Sequence, residues 1–126
     1  MALTRARRKC AVIGTLGSGF PGRLDARANT TPDAVSLHAR MRSFVRAGAQ
    51  AVCMEASSHG LAQGRLSGVE FDVAMLTNLT RDHLDYHGDM ASYAAAKGRL
   101  FSWPGLKAAV INADDAQGAL YQQQLT

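Results

Sequence analysis

The chain has 126 residues, of which 47% are hydrophobic, a length and composition that suit one compact globular unit with a modest core and not several domains. Its formal charge of +4 does not mark a nucleic-acid binder, because Arg5, Arg7, Arg8 and Lys9 crowd into a basic, solvated tail over residues 1–9, the other charges are mixed, and no recognition motif accompanies them. No apolar run approaches transmembrane length and no signal-peptide core follows the charged start, so a cytoplasmic protein without membrane insertion is expected.

Taken in chain order, Cys10–Gly14 is a short apolar strand. The stretch Gly14-Thr15-Leu16-Gly17-Ser18-Gly19 is glycine-rich but lacks a Gly-Lys-Ser/Thr ending, so it reads as a strand-to-loop turn. Residues 16–28 form a glycine-containing loop with room for a short hairpin. Asn29-Thr30-Thr31-Pro32-Asp33 then leads into an amphipathic helix over 33–47, with Pro32 near its first position and Asp33 as its N-cap. A second strand spans 51–55, and Cys53 on it, like Cys10, is expected to be a buried free thiol, not half of a disulfide or metal pair. The third strand, 71–77, is nearly continuous in apolar residues, as a parallel strand covered on both faces should be. A helix over 90–101, a strand over 108–112 and a final helix over 116–124 complete the pattern. Alternating strands and helices imply an α/β fold with a mostly parallel sheet and flanking helices. No repeat, low-complexity tract or composition shift divides the chain. The first strand, with no β-α unit before it, is expected to present an exposed edge.

The polar residues cluster where strands end, the place where open α/β sheets bind ligands. After the second strand, Glu55 is placed as a magnesium ligand, and Ser57, Gln63 and Arg65 are suited to an anionic, hydroxyl-rich substrate. Each also has a plainer use: Ser57 or Ser58 as a helix cap, Glu55 and Arg65 as solvated or surface-paired charges. After the third strand, Asn78-Leu79-Thr80-Arg81-Asp82-His83-Leu84-Asp85-Tyr86-His87-Gly88 gathers hard oxygen ligands and two histidines. Tyr93, Ala94, Lys97, Leu100 and Phe101 share one face of the next helix. That places Lys97 among apolar groups, which disfavour its charged form and leave an amine able to capture carbon dioxide or meet an anion; a lysine snorkelling to water is the plainer alternative. Read alone, Asp82, His83, Asp85 and His87 also suit a metal-dependent phosphohydrolase.

Three such patches in this order resemble the central domain of the Mur ligases, the ATP-dependent amino-acid ligases of peptidoglycan synthesis. The resemblance rests on Ala11-Val12-Ile13-Gly14-Thr15, Asn29-Thr30-Thr31-Pro32, Met54-Glu55-Ala56-Ser57-Ser58-His59-Gly60-Leu61, residues 77–88, Ala94-Ala95-Ala96-Lys97 and Ile111-Asn112-Ala113-Asp114-Asp115, which extend over nearly the whole chain. It is greatest toward the members that add diaminopimelate, or another diamino acid, to UDP-N-acetylmuramoyl-L-alanyl-D-glutamate. The resemblance implies that Asn29, Thr30, Thr31, Ser57, Gln63 and Arg65 bind that nucleotide-sugar dipeptide. It implies that Glu55 and His83 are magnesium ligands and that Lys97 is carbamylated and associated with magnesium. It also implies ATP as co-substrate, with the substrate carboxylate attacking the γ-phosphoryl to give an acyl phosphate that the incoming amine then displaces.

One part of the family pattern is missing from these 126 residues. The Gly-x-x-Gly-Lys-Thr-like phosphate loop should precede the Cys10 strand, and Met1 to Lys9 contain none. Residues 10–126 are therefore expected to be a partial central domain of the phosphate-loop type without its phosphate-loop unit, inactive as a ligase alone. A catalytically silent module that binds the nucleotide-sugar peptide is the other expectation this leaves open.

Overall fold

A computed structural model describes residues 2–26, 29–82 and 84–125. The chain divides into two compact units, Met1–Ser67 and Gly68–Thr126. The sequence carries no composition shift at that junction.

The first unit contains helix α1 (Ala2–Arg5), strands β1 (Cys10–Gly14), β2 (Gly17–Phe20) and β3 (Arg23–Asp25), helix α2 (Ala34–Arg46), strand β4 (Ala51–Met54) and helix α3 (Ser58–Ala62). The sheet order is β3-β2-β1-β4. Strand β1 runs parallel to β4 from Cys10 opposite Ala51 to Ile13 opposite Met54, and antiparallel to β2 from Val12 opposite Gly19 to Gly14 opposite Gly17. The expected exposed edge on β1 is thus absent: the chain doubles back and its own hairpin covers that edge. Gly19 makes the return feasible, since its φ of +152° is hostile to other residues and a Cβ there would collide with the Arg23 carbonyl.

Asp33 caps α2 as expected, its side chain accepting the Ser36 N–H at 3.0 Å. Leu37 and Phe44, two turns apart, are the buried residues of the helix, and Phe44 meets Phe20 edge-to-face at 5.7 Å. The basic segment is exposed wherever its side chains are described, as a solvated tail should be, and it also carries local structure. Residues 2–5 form a helical turn, and Lys9 places its ammonium 4.8 Å from the Phe20 ring while donating to the Ala47 carbonyl at 2.5 Å.

The second unit comprises β5 (Val73–Leu76), α4 (Leu84–His87), α5 (Met90–Gly98), β6 (Ala108–Ile111) and α6 (Ala116–Leu125). Strands β5 and β6 are parallel, with Val73 opposite Ala108 and Leu76 opposite Ile111. Ala74 and Leu76 point into a core completed by Phe101 and Tyr121, with Leu100, Leu106 and Ile111 at its margin. The expectation of a strand covered on both faces is corrected here. Burial alternates along β5, and Val73 and Met75 stay exposed, because within this unit the core lies on one side of the two strands. Helix α5 stops at Gly98, short of residue 101; Leu100 and Phe101 belong to turns bonded back to Lys97 and Gly98.

Tyr121 ties α6 to this core by stacking on Phe101 at 5.2 Å and donating its hydroxyl to the Ala94 carbonyl of α5 at 2.5 Å. Burial, followed by the charges of Asp115 and Tyr93, pushes the phenol up to about 12. Helix α6 also approaches the end of β6 so closely that a Cβ on Gly118 would collide with the Asn112 carbonyl. The α/β class with flanking helices holds; the four-stranded sheet is mixed, with β1 parallel to β4 and two antiparallel pairings, β1 with β2 and β2 with β3, and the two-stranded sheet is parallel.

Candidate functional site

Because β1 and β4 are parallel and in register, their carboxyl ends emerge side by side, and the segments leaving them are held together by polar contacts. Glu55, just beyond β4, accepts the Thr15 N–H at 3.2 Å and the Thr15 hydroxyl at 2.7 Å, both on Oε2. Its other oxygen, Oε1, lies where a Cβ on Gly14 would come within 2.5 Å, so glycine at 14 makes the approach of the carboxylate feasible. The Thr15 hydroxyl also pairs with that of Thr30 at 3.1 Å. Thr15 was not among the sequence candidates. Its signal in the sequence is its place immediately after β1, at the end of the matching stretch Ala11 to Thr15.

Thr31 has a different role from its neighbour. Its side chain is 1% exposed, and its hydroxyl donates to the Glu55 carbonyl and accepts the Ser57 N–H, each at 2.9 Å. Through these two bonds Thr31 clamps the loop after β4. Ser57 is the N-cap of α3, accepting the Gly60 N–H at 3.0 Å. Its own hydroxyl proton remains for donation.

Arg65 Nε and one terminal nitrogen donate to Gln63 Oε1, and the other terminal nitrogen donates to the Thr31 carbonyl at 2.9 Å. Those contacts use three of the roughly five guanidinium N–H donors, so the fork is oriented and still able to meet an anion. Asn29 lies exposed at the start of the same loop. The first unit therefore brings together Thr15, Thr30, Thr31, Glu55, Ser57, Gln63 and Arg65, a carboxylate, hydroxyls and a braced guanidinium suited to a hard cation and an anionic ligand.

In the second unit, Lys97 is half-buried on α5, its ammonium 5.6 Å from the centre of the Tyr93 ring. The Tyr93 phenol is pushed up by burial and by the Asp82 carboxylate. His83 lies outside the described residues. His87 packs against the Tyr86 ring at 4.8 Å and the Tyr93 ring at 5.5 Å, which makes it a packing element of the turn.

The loop leaving β5 is fastened from behind. Asn112 donates its side-chain N–H to the Thr77 carbonyl at 2.9 Å, and Asp115 accepts the Leu79 N–H at 2.9 Å. The other Asp115 oxygen accepts the Gly118 N–H in the first turn of α6. These backbone donors hold the Asp115 carboxyl below the usual range. The sequence reading matched this stretch without giving it a role, although an aspartate directly before a helix is a capping signal.

Among the described residues, no three His, Cys, Asp or Glu side chains gather as a metal cage, and Asp82 and Asp85 are exposed. No described helix is long and apolar enough to cross a membrane.

The comparisons with known proteins agree in one direction. The family described as Mur ligase middle domain matches residues 1–126. The UDP-N-acetylmuramoyl-L-alanyl-D-glutamate--2,6-diaminopimelate ligase of Ralstonia nicotianae is 62% identical over 117 residues, covering 93% of this chain and 23% of that protein. The protein of the same name from Ectopseudomonas mendocina is 55% identical over 123 residues, covering 98% of this chain and 25% of its own length. A solved structure of a UDP-N-acetylmuramoyl-L-alanyl-D-glutamate--2,6-diaminopimelate ligase superposes with a TM-score of 0.86 at 45% identity, covering 96% of this chain and 24% of that one. The chain thus spans about a quarter of the length of the relatives it matches.

Proposed function

The chain belongs to the Mur ligase family as a middle domain, and we propose that it serves a cytoplasmic ligase joining diaminopimelate, or another diamino acid, to UDP-N-acetylmuramoyl-L-alanyl-D-glutamate with ATP as co-substrate. The observation that carries this reading is the cluster at the carboxyl ends of β1 and β4, where Thr15 fixes Glu55 and Gln63 braces Arg65. In this reading Arg65 and the hydroxyls of Thr30 and Ser57 hold the anionic nucleotide-sugar dipeptide, with Asn29 and Gln63 beside them. Thr31 acts from inside by holding the loop that carries Ser57. Such positioning matters because phosphoryl transfer to the substrate carboxylate depends mainly on alignment and charge stabilisation.

Magnesium fits the donors present. Glu55 offers a hard oxygen, Oε1, that accepts no hydrogen bond among the described residues. Magnesium would supply charge neutralisation on the transferred phosphoryl group. Glu55, His83 and a carbamate on Lys97 are the groups proposed to associate with it. The carbamate forms when the neutral Lys97 amine takes up carbon dioxide and releases a proton, converting a cation into an oxygen donor.

The 126-residue polypeptide contains no Gly-Lys-Ser/Thr phosphate loop, so by itself it is proposed to be a substrate-binding module without turnover. The test is titration of the isotopically labelled polypeptide with UDP-N-acetylmuramoyl-L-alanyl-D-glutamate and, separately, with ATP. Shifts at Thr15, Thr30 and Arg65 with the first ligand are expected; no shift at saturating ligand would overturn the assignment. Phosphate release with both substrates, a diamino acid and magnesium should stay at background, and turnover on the order of 1 per second would refute the silent-module reading.

A further inference from the structure

The face of the sheet that β1 and β4 share carries a pair of thiols that the proposed ligase chemistry does not use. Cys10 Sγ lies 3.5 Å from Cys53 Sγ, in hydrogen-bond contact. The two residues are diagonal neighbours: in the parallel register Cys10 lies opposite Ala51 and Cys53 opposite Val12. Both are free thiols; Cys10 is buried, whereas Cys53, expected to be buried, is exposed. One sulfur is therefore accessible to reagents while the other waits beside it, the arrangement of an attacked thiol with a resolving partner.

We propose that Cys10 and Cys53 form an oxidation site at which a hydroperoxide converts the pair to a disulfide linking β1 to β4. Cys53 first reacts with the peroxide, one oxygen passing to sulfur to give the sulfenic acid and the other leaving as water from hydrogen peroxide, or as the alcohol from an organic hydroperoxide. Cys10 then attacks that sulfur, the S–O bond breaks, and the hydroxyl departs as water with the Cys10 proton. The pair loses two electrons, and the hydroperoxide gains them. Burial and the contact with Cys10 push the Cys53 thiol up, which makes the first step gradual at neutral pH. The second step is favoured by sulfurs already in contact.

A disulfide needs the sulfurs about 2.05 Å apart and the Cα atoms within about 7 Å, so closure between these diagonal neighbours requires backbone movement that draws β1 and β4 together as well as rotation of the two side chains. Thr15 and Glu55 directly follow the two strands, so the bond joins the segments that carry their contact. It also closes a loop between residues 43 apart in sequence, which raises the unfolding midpoint of the first unit by restricting its unfolded state.

The test exposes the dilute 126-residue chain to hydrogen peroxide, followed by thiol alkylation, non-reducing digestion and mass spectrometry. A monomer lighter by two hydrogens, with the peptides containing Cys10 and Cys53 linked and separable by dithiothreitol, is expected. Cys53→Ala, at an exposed position, should abolish the link and leave Cys10 alkylatable. Cys10→Ala should instead leave Cys53 as sulfenic or higher oxygen adducts. If the unsubstituted chain gives only such adducts on Cys53, or only intermolecular dimers, the proposal fails.

Discussion

Asp115 accepts the backbone N–H of Leu79 at 2.9 Å, so the residue that starts α6 also holds the loop leaving β5. This is a sequence-distant tie in which one carboxylate serves as helix cap and loop anchor. Replacing Asp115 with alanine removes both uses together. Loss of the helix cap should lower the unfolding midpoint, and the freed Leu79 amide should exchange with solvent faster. Urea unfolding with amide exchange at Leu79 measures both effects; unchanged Leu79 exchange would show that the tie is not formed in solution. Because the folded carboxyl is held low by Leu79 and Gly118, its contribution is fully present above about pH 4 and is lost as pH falls below that. Asp115→Asn should flatten this acid limb.

Thr31 predicts a contrast between two conservative changes. Thr31→Val keeps the shape but strips partners from the Glu55 carbonyl and the Ser57 N–H, and should cost about 2 kcal/mol. Thr31→Ser keeps the hydroxyl and should cost well under that. Denaturant midpoints of the two variants decide it. Equal losses would mean that the methyl group, not the clamp, is what matters at this position.

The behaviour in alkali should be governed in part by Tyr121. Its folded value of about 12 stands above the ordinary phenol value of roughly 10, so the folded state keeps its proton where the unfolded chain releases it. The stability this provides is intact below about pH 10 and falls as pH rises toward 12. Tyr121→Phe loses the bond to the Ala94 carbonyl, at a cost of about 1 kcal/mol at neutral pH, and should show a shallower decline between pH 10 and 12. A decline of unchanged steepness in the variant would assign the alkaline transition to other groups.

These residues also mark what the sequence discloses. The strands, the α2 cap and the clustering of polar residues past strand ends were legible, because each follows from local pattern: apolar runs, an aspartate before an amphipathic stretch, turns after strands. Thr15 and Asp115 were not, because their roles depend on which distant segment arrives beside them, and neither type advertises a partner 36 or more residues away. Thr31 was legible as part of a polar patch but not as its buried member; only the packing of its side chain between the Glu55 carbonyl and the Ser57 amide separates it from Thr30. The short hairpin within residues 16–28 is legible and is found as β2 and β3, but its pairing with β1 is not, for a similar reason. Glycines report freedom to turn, not the strand against which the turn delivers the chain.

The two histidines near α4 should behave differently in a full-length ligase. His87 is packed against Tyr86 and Tyr93, whereas His83 is proposed to meet magnesium. In a chimera where residues 1–126 replace the matching segment of the Ralstonia nicotianae relative, His83→Ala should lower kcat far more than His87→Ala. His87→Ala should instead lower the thermal midpoint. Equal kcat losses with unchanged stability in both variants would remove the distinction.

The sharpest prediction concerns Lys97, because its charge and its proposed chemistry point in opposite directions. A bare ammonium beside Tyr93 gains from the ring face, yet it would repel a magnesium ion brought near it. A carbamate on the same nitrogen would attract that ion. Arginine keeps its charge under all assay conditions and forms no carbamate, so Lys97→Arg should preserve a simple cationic role and abolish one that needs the carbamate. In the same chimera, Lys97→Arg should therefore reduce kcat nearly as much as Lys97→Ala, by about a hundredfold or more if oxygen ligation there supplies some 3 kcal/mol of transition-state stabilisation. Lys97→Glu should recover part of the activity, within the limit set by its shorter side chain. Raising dissolved bicarbonate should increase turnover of the unsubstituted chimera and leave Lys97→Arg unaffected. Near-normal turnover of Lys97→Arg would overturn the carbamate and identify Lys97 as a phosphate-facing cation.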